Sequence, residues 1–155
     1  MNENRKSIGG ARGVTRLFAV QVLYCADILK KSAVDILSDE CRQHQVMLAE
    51  DIPLDDVNDQ FLCDLVGKYS EHAEFIDIII ISHLSNKWTA DRLNKVVVAI
   101  LRLGVTELLY FSDIPANVTF NEYIEIGKAF FPKRDVSFIN GLLNSVHQEN
   151  IRQKA

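Results

Sequence analysis

The chain contains few of the residues that interrupt helices, and it lacks the patterns that mark a disulfide framework or a metal site. Only three of its 155 residues are prolines and seven are glycines, which favours helices joined by short turns. The three cysteines are widely spaced and form no C-x-x-C pair, and the four histidines form no H-x-x-x-H pair. We therefore predict no disulfide framework, no metal and no cofactor.

Long apolar runs are missing as well. No run approaches the roughly 18 residues of a membrane span, and residues 1–13 lack the apolar core of a signal peptide. With 48% hydrophobic residues and a mean hydropathy of +0.02, the composition is typical of a globular protein. These features predict a cytoplasmic protein built as one domain, or as two small subdomains that share a core.

Sequence patterns of catalysis are also missing. The chain shows no nucleophile–base pair, no glycine-rich phosphate loop and no pair of carboxylates at obvious acid–base spacing. Glu122 follows Thr119 at the spacing of a helix capping box, T-F-N-E, although Asn117 could cap the same helix instead. We therefore predict a structural role for Glu122 and no enzymatic activity.

The most apolar stretch, residues 93–111, predicts the central helix of the fold. It contains no proline, it is too long for one buried strand, and it is apolar on almost every side. Lys95, Arg102 and Glu107 would make a membrane span costly. Because Arg102 and Glu107 do not share a face, we expect each to form an arginine–carboxylate tie to another helix. Gly104 predicts that a neighbouring helix approaches closely at that position.

Helical periodicity continues on both sides of this stretch. It predicts further helices over residues 11–30, 32–50, 57–66, 71–84, 119–131 and 135–147. Asp55 or Asp56 is expected to cap the third of all these helices, and Asp135 the last one. The four isoleucines at 78–81 could form a strand, but no partner strand is evident, so a helix is favoured. Gly141 marks a second place where another helix could approach closely.

The pattern also predicts the organisation of the domain. We expect residues 1–10 to form a flexible arm and residues 11–150 to form one all-α domain. Within it, residues 11–84 and 85–150 are the expected subdomains, and residues 151–155 are expected to fray.

Charge is unevenly distributed along the chain, whose net charge is −4. Residues 1–26 carry four basic residues and one acid, and residues 35–64 carry nine acids and one arginine, giving local charges of +3 and −8. Lys128, Lys133 and Arg134 form a second basic cluster. This asymmetry favours a protein with one basic face that binds an anionic ligand and one acidic face that repels the ligand. The two basic clusters can form one groove only if the first and last helices are neighbours.

Two interpretations of the first helix remain open from its residues alone. Arg12 and Arg16 lie one turn apart, and Tyr24 lies two turns beyond Arg16. These side chains are either solvated arginines beside a half-buried tyrosine, or phosphate contacts beside an aromatic platform on which a base could stack.

Three stretches, taken together, resemble the NusB family of bacterial transcription antitermination proteins. The first is R-x-x-T-R-x-x-A-V-Q-x-L-Y, from Arg12 to Tyr24. The second is I-L-R-L-G-x-x-E-L, from Ile100 to Leu108, followed by D-I-P and N-E. The third is F-I-N-G-L-L, which begins at Phe138. They occur in the order and spacing of the family across nearly the whole chain.

The resemblance implies an all-α fold of about seven helices in two packed subdomains around the central helix. It also implies a non-catalytic factor that binds the boxA element of nascent RNA together with NusE, a small-subunit ribosomal protein. The pair joins a complex on RNA polymerase that suppresses termination, notably on ribosomal RNA operons. Some members of the family also pair as homodimers through their RNA-facing surface.

By motif, the resemblance assigns RNA contacts to residues of the first helix and around the start of the last one. These residues are Arg12, Arg16, Tyr24, Phe130, Phe138 and Asn140. The chain departs from the family pattern at Gly13 and Val14, where further basic residues are common, and at Ser137, where lysine is common. Lys133 and Arg134 are expected to compensate from the adjacent turn. Because basic residues are missing at Gly13, Val14 and Ser137, the RNA affinity of the protein alone is nevertheless expected to be weak.

Two alternatives from other classes remain. A NusB-like domain precedes the catalytic domain of certain RNA cytosine methyltransferases, so the chain could be such an RNA-binding domain. It could also be a homodimeric helical adaptor that does not bind RNA.

Overall fold

A computed structural model describes residues 10–39, 56–84 and 93–154, and these residues form an all-α fold. Seven helices follow one another, and no strand occurs in these three segments. The helices are α1 (Gly10–Leu29), α2 (Ala33–Asp39), α3 (Asp59–Glu71), α4 (Ala73–Ser82), α5 (Lys95–Tyr110), α6 (Ala116–Phe130) and α7 (Lys133–Lys154). The predicted fold class is confirmed. Most of the predicted N-terminal arm and residues 40–55 and 85–92 lie outside the described residues.

The central helix predicted from the apolar stretch is α5. Its side chains at Ile100, Leu101 and Leu103 are fully buried, and it packs against α1, α3, α4, α6 and α7. A Cβ atom added at Gly104 would lie 2.8 Å from Cδ2 of Leu143. The predicted close approach at this glycine is therefore confirmed, and α7 is the helix that makes it.

The run of isoleucines is helical, as predicted. It forms the second half of α4, with Ile76 and Ile80 buried against the core while Ile78 and Ile81 are exposed. This alternation has the helical period, so one face of α4 packs on the core and the other faces solvent. No helix in the described ranges is long and apolar enough to cross a membrane.

Helices α6 and α7 form an antiparallel hairpin. The rings of Phe120 and His147 meet edge to face at 5.5 Å near its open end. Toward the turn, a Cβ atom at Gly127 would lie 3.4 Å from Cδ1 of Ile139. Phe131 and Pro132 connect the two helices. The end of α6 and the beginning of α7 consequently lie together at this corner.

Several predicted helix ends are wrong. Helix α6 begins at Ala116, directly after Pro115, so Thr119 and Glu122 lie inside the helix and form no capping box. Proline tolerates this position because it has no N–H to leave unsatisfied and its φ suits a helix start. Helix α3 is capped by Asn58, whose side chain accepts a hydrogen bond from the backbone N–H of Phe61.

Helix α7 also differs from its prediction at both ends. It begins at Lys133, so Asp135 lies in its first turn and is not the residue that precedes it. It continues to Lys154, whereas the periodicity predicts a helix only as far as residue 147. Gly141 has open space where its side chain would be, so the close approach predicted there is wrong.

Candidate nucleic-acid interface

Arg16 is part of the protein interior. Its side chain is 1% exposed, and that of Glu107 is fully buried. Nε of Arg16 donates to Oε2 of Glu107 over 2.8 Å, and Nη2 donates to Oε1 over 2.9 Å. This bidentate pair directs the guanidinium of Arg16 inward, whereas the sequence predicts an RNA contact for it. The sequence does not reveal this pair because Arg16 joins α1 to α5 through a residue distant in sequence.

Two hydroxyl groups of α6 complete the cluster around Glu107. Tyr123 donates to Oε2 of this carboxylate, and Thr119 donates to Oε1 over 3.3 Å. Burial alone would lower the pKa of Arg16, but its hydrogen bond and the negative charge of Glu107 outweigh burial, so that pKa is raised. Burial, followed by the charge of Glu107, raises the pKa of Tyr123 well above its usual value. The cluster therefore links α1, α5 and α6 as a charged arginine–carboxylate pair with neutral hydroxyl donors.

Glu122 lies near this cluster without being part of its buried centre. Its carboxylate is 3.9 Å from Nη1 of Arg16, and its side chain is 31% exposed. It occupies the second turn of α6, so the capping role that the sequence predicts is replaced by a long contact with Arg16.

Arg102 ties α5 to two other helices. Its Nε and Nη2 donate to the carboxylate of Asp77 on α4 over 2.9 and 3.0 Å. Its Nη1 donates to Asp27 on α1 over 3.2 Å. Burial acts to lower the pKa of Arg102, but the electrostatic interaction with Tyr69, the hydrogen bonds to Asp77 and the charges of both carboxylates raise that pKa overall. Arg102 thus has carboxylate partners on both sides and belongs to the scaffold.

Arg12 lies one turn before Arg16 but is exposed. Its guanidinium carbon is 4.6 Å from the centroid of the Phe61 ring on α3. Within the described part of the chain, Arg12 has no hydrogen-bond or ion-pair partner. Its N–H groups are therefore available to an anionic ligand such as an RNA phosphate.

The N-terminal part of α1 is hydrogen-bonded to the residue that caps α3. The backbone N–H of Asn58 donates to the hydroxyl of Thr15 over 2.8 Å, and that hydroxyl donates to the carbonyl of Ala11. Sequence reasoning missed this contact and the role of Phe61, which has the pattern of an ordinary core residue. The contact brings Arg12 and Phe61 together although 49 positions separate them.

The second group of predicted RNA contacts gathers at the corner between α6 and α7. Phe130 ends α6, and Phe138 lies in the second turn of α7, both partly buried. Lys133 and Arg134 begin α7 and are exposed. Arg134 and Phe138 are four residues apart and so share a face of the helix. Asn140, also exposed, lies two turns after Lys133 on the same side of α7.

The predicted RNA contacts on α1 lie apart from one another and from the α6–α7 corner. Tyr24 is partly buried on α1, and the helical rise places it about 18 Å along the axis from Arg12. Helices α1 and α7 are not among the extensively packed helix pairs of the described chain, whereas α6 contacts both. Arg12 and the α6–α7 corner therefore do not meet by direct packing of the first and last helices, and α6 connects them.

Comparison with known proteins identifies the family. The NusB family model matches residues 14–148. The transcription antitermination protein NusB of Sphingopyxis alaskensis is 35% identical over 99% of this chain and 100% of its own length. NusB of Halalkalibacterium halodurans is 38% identical over 86% of this chain and 90% of its own length.

Solved structures agree with these sequence matches. A crystal structure of the antitermination factors NusB and NusE in complex with double-stranded RNA matches with a TM-score of 0.72 at 26% identity, covering 90% of this chain and 97% of that chain. The solution structure of NusB from Aquifex aeolicus also matches with a TM-score of 0.72 at 26% identity, covering 94% and 93% of the two chains. The protein described here belongs to the NusB family.

Proposed function

We propose that this protein is a cytoplasmic, non-catalytic transcription antitermination factor that binds boxA RNA of nascent ribosomal transcripts together with NusE. The observation that carries the proposal is the α6–α7 corner, where the exposed Lys133 and Arg134 begin α7 and stand in the chain between the partly buried Phe130 and Phe138. Basic groups attract the phosphate backbone, and aromatic rings can stack on the unpaired bases of single-stranded RNA. Bound in this way, the protein and NusE would join the antitermination complex on RNA polymerase.

Each predicted contact has a distinct part in this proposal. Arg12, Lys133 and Arg134 contact phosphates, and Phe130 and Phe138 stack on bases. Tyr24 and Asn140 contact nucleotides further along the two helices that bear them. Arg16 is not included, because its guanidinium is held by Glu107.

The comparisons favour this function over the alternatives. The relatives described above are named antitermination proteins, which supports transcription regulation over RNA methyl transfer. The solved relative that holds both NusE and RNA supports a binding function over that of an adaptor without RNA. A homodimer remains a measurable outcome, which sizing the protein with and without boxA RNA would detect.

Binding of labelled boxA RNA and a scrambled RNA, with and without NusE, tests the proposal. We expect tighter binding to boxA, strengthened by NusE, and a log–log salt dependence with a slope of roughly −0.7 per phosphate neutralised. Phe138→Ala and Arg134→Ala should weaken binding. Arg152→Ala, which removes an exposed arginine from the far end of α7, is the matched control and should leave it unchanged. Equal affinity for the two RNAs in the presence of NusE, or a complex insensitive to salt, would contradict the proposal.

A further inference from the structure

We infer that Phe61 is a positioning residue for the RNA contact of Arg12: its ring holds the exposed guanidinium in the orientation in which it meets a phosphate. This inference rests on the proposed function. Phe61 lies on α3, within the acidic part of the sequence, and would not itself contact RNA.

The Phe61 ring is a rigid support. The residue is 6% exposed, and its ring meets that of Phe111 edge to face, with centroids 6.1 Å apart and planes at 85°. Its backbone N–H is held by the side chain of Asn58 over 3.0 Å. The hydrogen bond from the backbone N–H of Asn58 to the hydroxyl of Thr15 fixes this end of α3 against α1. The distance between the ring and the Arg12 backbone is thus set by the fold.

The geometry suits a cation–π contact that leaves the donors of Arg12 free. The guanidinium carbon lies 4.6 Å from the ring centroid, within the roughly 6 Å over which such contacts act. An arginine stacks through the face of its planar guanidinium, whereas its N–H groups point outward in the plane. A guanidinium supported by the ring therefore loses less freedom when its edge binds a phosphate.

Arg12 and Arg16 both lie beside the Phe61 ring, but only one of them is paired with a carboxylate. The guanidinium carbon of Arg16 lies 5.2 Å from the Phe61 centroid, but Glu107 already pairs with this group and compensates its charge. Arg12 consequently meets little repulsion from its neighbour. Of the two cations beside Phe61, Arg12 is the exposed one, with its donors available to RNA.

RNA affinities of the full-length protein with single-stranded boxA RNA test the inference. Phe61→Leu removes the ring and should weaken binding about two- to five-fold, the size expected for a cation–π contact near the surface. Phe61→Tyr retains the ring and should retain the affinity. Phe18→Leu, which shortens a buried aromatic of α1, is the matched control for loss of core packing and should bind normally. Phe61→Met repeats the test if circular dichroism shows that the leucine variant does not fold.

The salt dependence and a double-mutant cycle separate positioning from a merely structural effect. Arg12→Ala should reduce the magnitude of the log–log salt slope by about 0.7, because one phosphate contact is lost. Phe61→Leu should leave the slope unchanged, because the charge remains. The double variant Arg12→Ala/Phe61→Leu should bind no more weakly than Arg12→Ala alone.

Two outcomes would overturn the inference, and they are distinguishable. If Phe61→Leu binds like the wild type, or if its effect multiplies with that of Arg12→Ala, then Phe61 does not act through Arg12. If Arg12→Ala itself leaves boxA affinity and salt slope unchanged, the contact assigned to Arg12 in the proposed function falls as well. In that second case the α6–α7 corner remains testable through Phe138→Ala.

Discussion

Breaking the buried pair between Arg16 and Glu107 should destabilise the fold. The free energy of unfolding should fall by different amounts when one or the other residue is replaced. Arg16→Met removes the cation and leaves a buried carboxylate that retains two hydroxyl donors, Tyr123 and Thr119. Glu107→Leu instead leaves a buried guanidinium, which stays charged, and it also removes the acceptor of both hydroxyls. We therefore expect Glu107→Leu to be the more damaging change.

The burial of the pair determines the magnitude. Both side chains are at most 1% exposed, so solvent can compensate little of an unpaired charge, and removing one partner of such a pair costs about 3–5 kcal/mol. We expect about 3 kcal/mol for Arg16→Met and about 5 kcal/mol for Glu107→Leu. In a protein of this size each 1 kcal/mol lowers Tm by about 2–4 °C.

Urea denaturation followed by circular dichroism measures these losses. The double variant Arg16→Met/Glu107→Leu should be more stable than Glu107→Leu, because no unpaired charge remains in the interior. A loss below about 1 kcal/mol for either single variant would refute the reasoning, because an exposed ion pair contributes no more than that. The reasoning would also be refuted if the double variant lost as much free energy of unfolding as the two single variants together.

Three further measurements test the packing at Gly104, the backbone at Lys30 and the pKa of Tyr123. Gly104→Ala should destabilise the protein by about 1 kcal/mol, because its Cβ would lie 2.8 Å from buried Leu143 and overpacking outweighs the gain in helix propensity. The control Gly67→Ala, on α3 with open space around it, should stabilise by about 1 kcal/mol; an equal effect of both in thermal unfolding would contradict this. Lys30→Gly should raise stability by about 1 kcal/mol, because Lys30 adopts a φ of +54° after α1; a lower urea midpoint would argue against backbone strain there. In a spectrophotometric titration Tyr123 should ionise only on unfolding, since its raised pKa makes stability fall as pH rises past about 10; a tyrosinate signal of the folded protein that disappears in Tyr123→Phe would disprove this.

The sequence predicts the central helix well because the signal is local. Residues 95–110 are apolar on almost every side, and only a helix surrounded by others can bury such a surface. The same pattern, with one glycine in the interior, also predicts the approach of another helix at Gly104, and the structure shows that this helix is α7. The same argument fails at Gly141, where a Cβ atom would have open space around it. The sequence does not show whether the side of a helix that lacks a side chain faces another helix or solvent.

Helix ends were predicted less well because several residues compete for each of them. Thr119 and Glu122 have the spacing of a capping box, but α6 begins before them, directly after Pro115, and the hydroxyl of Thr119 donates to Glu107 instead. Asp135 could likewise cap a helix, yet α7 has already begun at Lys133. Which candidate is used depends on tertiary contacts that no local pattern contains.

The candidate RNA contacts depend on tertiary contacts in the same way, and here the dependence affects the assignment of function. Arg12 and Arg16 are the same residue type, one turn apart, and nothing local separates a phosphate contact from a buried tie. Their partners separate them: Glu107, 91 positions away in the chain, holds Arg16, whereas Phe61 supports Arg12 and leaves its donors free.

The buried pair and the exposed arginine are therefore physically connected. By joining α1 to α5 and α6, the Arg16–Glu107 pair sets the position of the helix turn from which Arg12 projects toward Phe61. A substitution at Arg16 can then weaken RNA binding without the residue ever touching RNA. A variant of this motif that loses RNA binding therefore identifies an RNA contact only if its folding stability is measured as well. Substitution of Arg16 should lower both RNA affinity and stability, whereas substitution of Arg12 should lower RNA affinity alone.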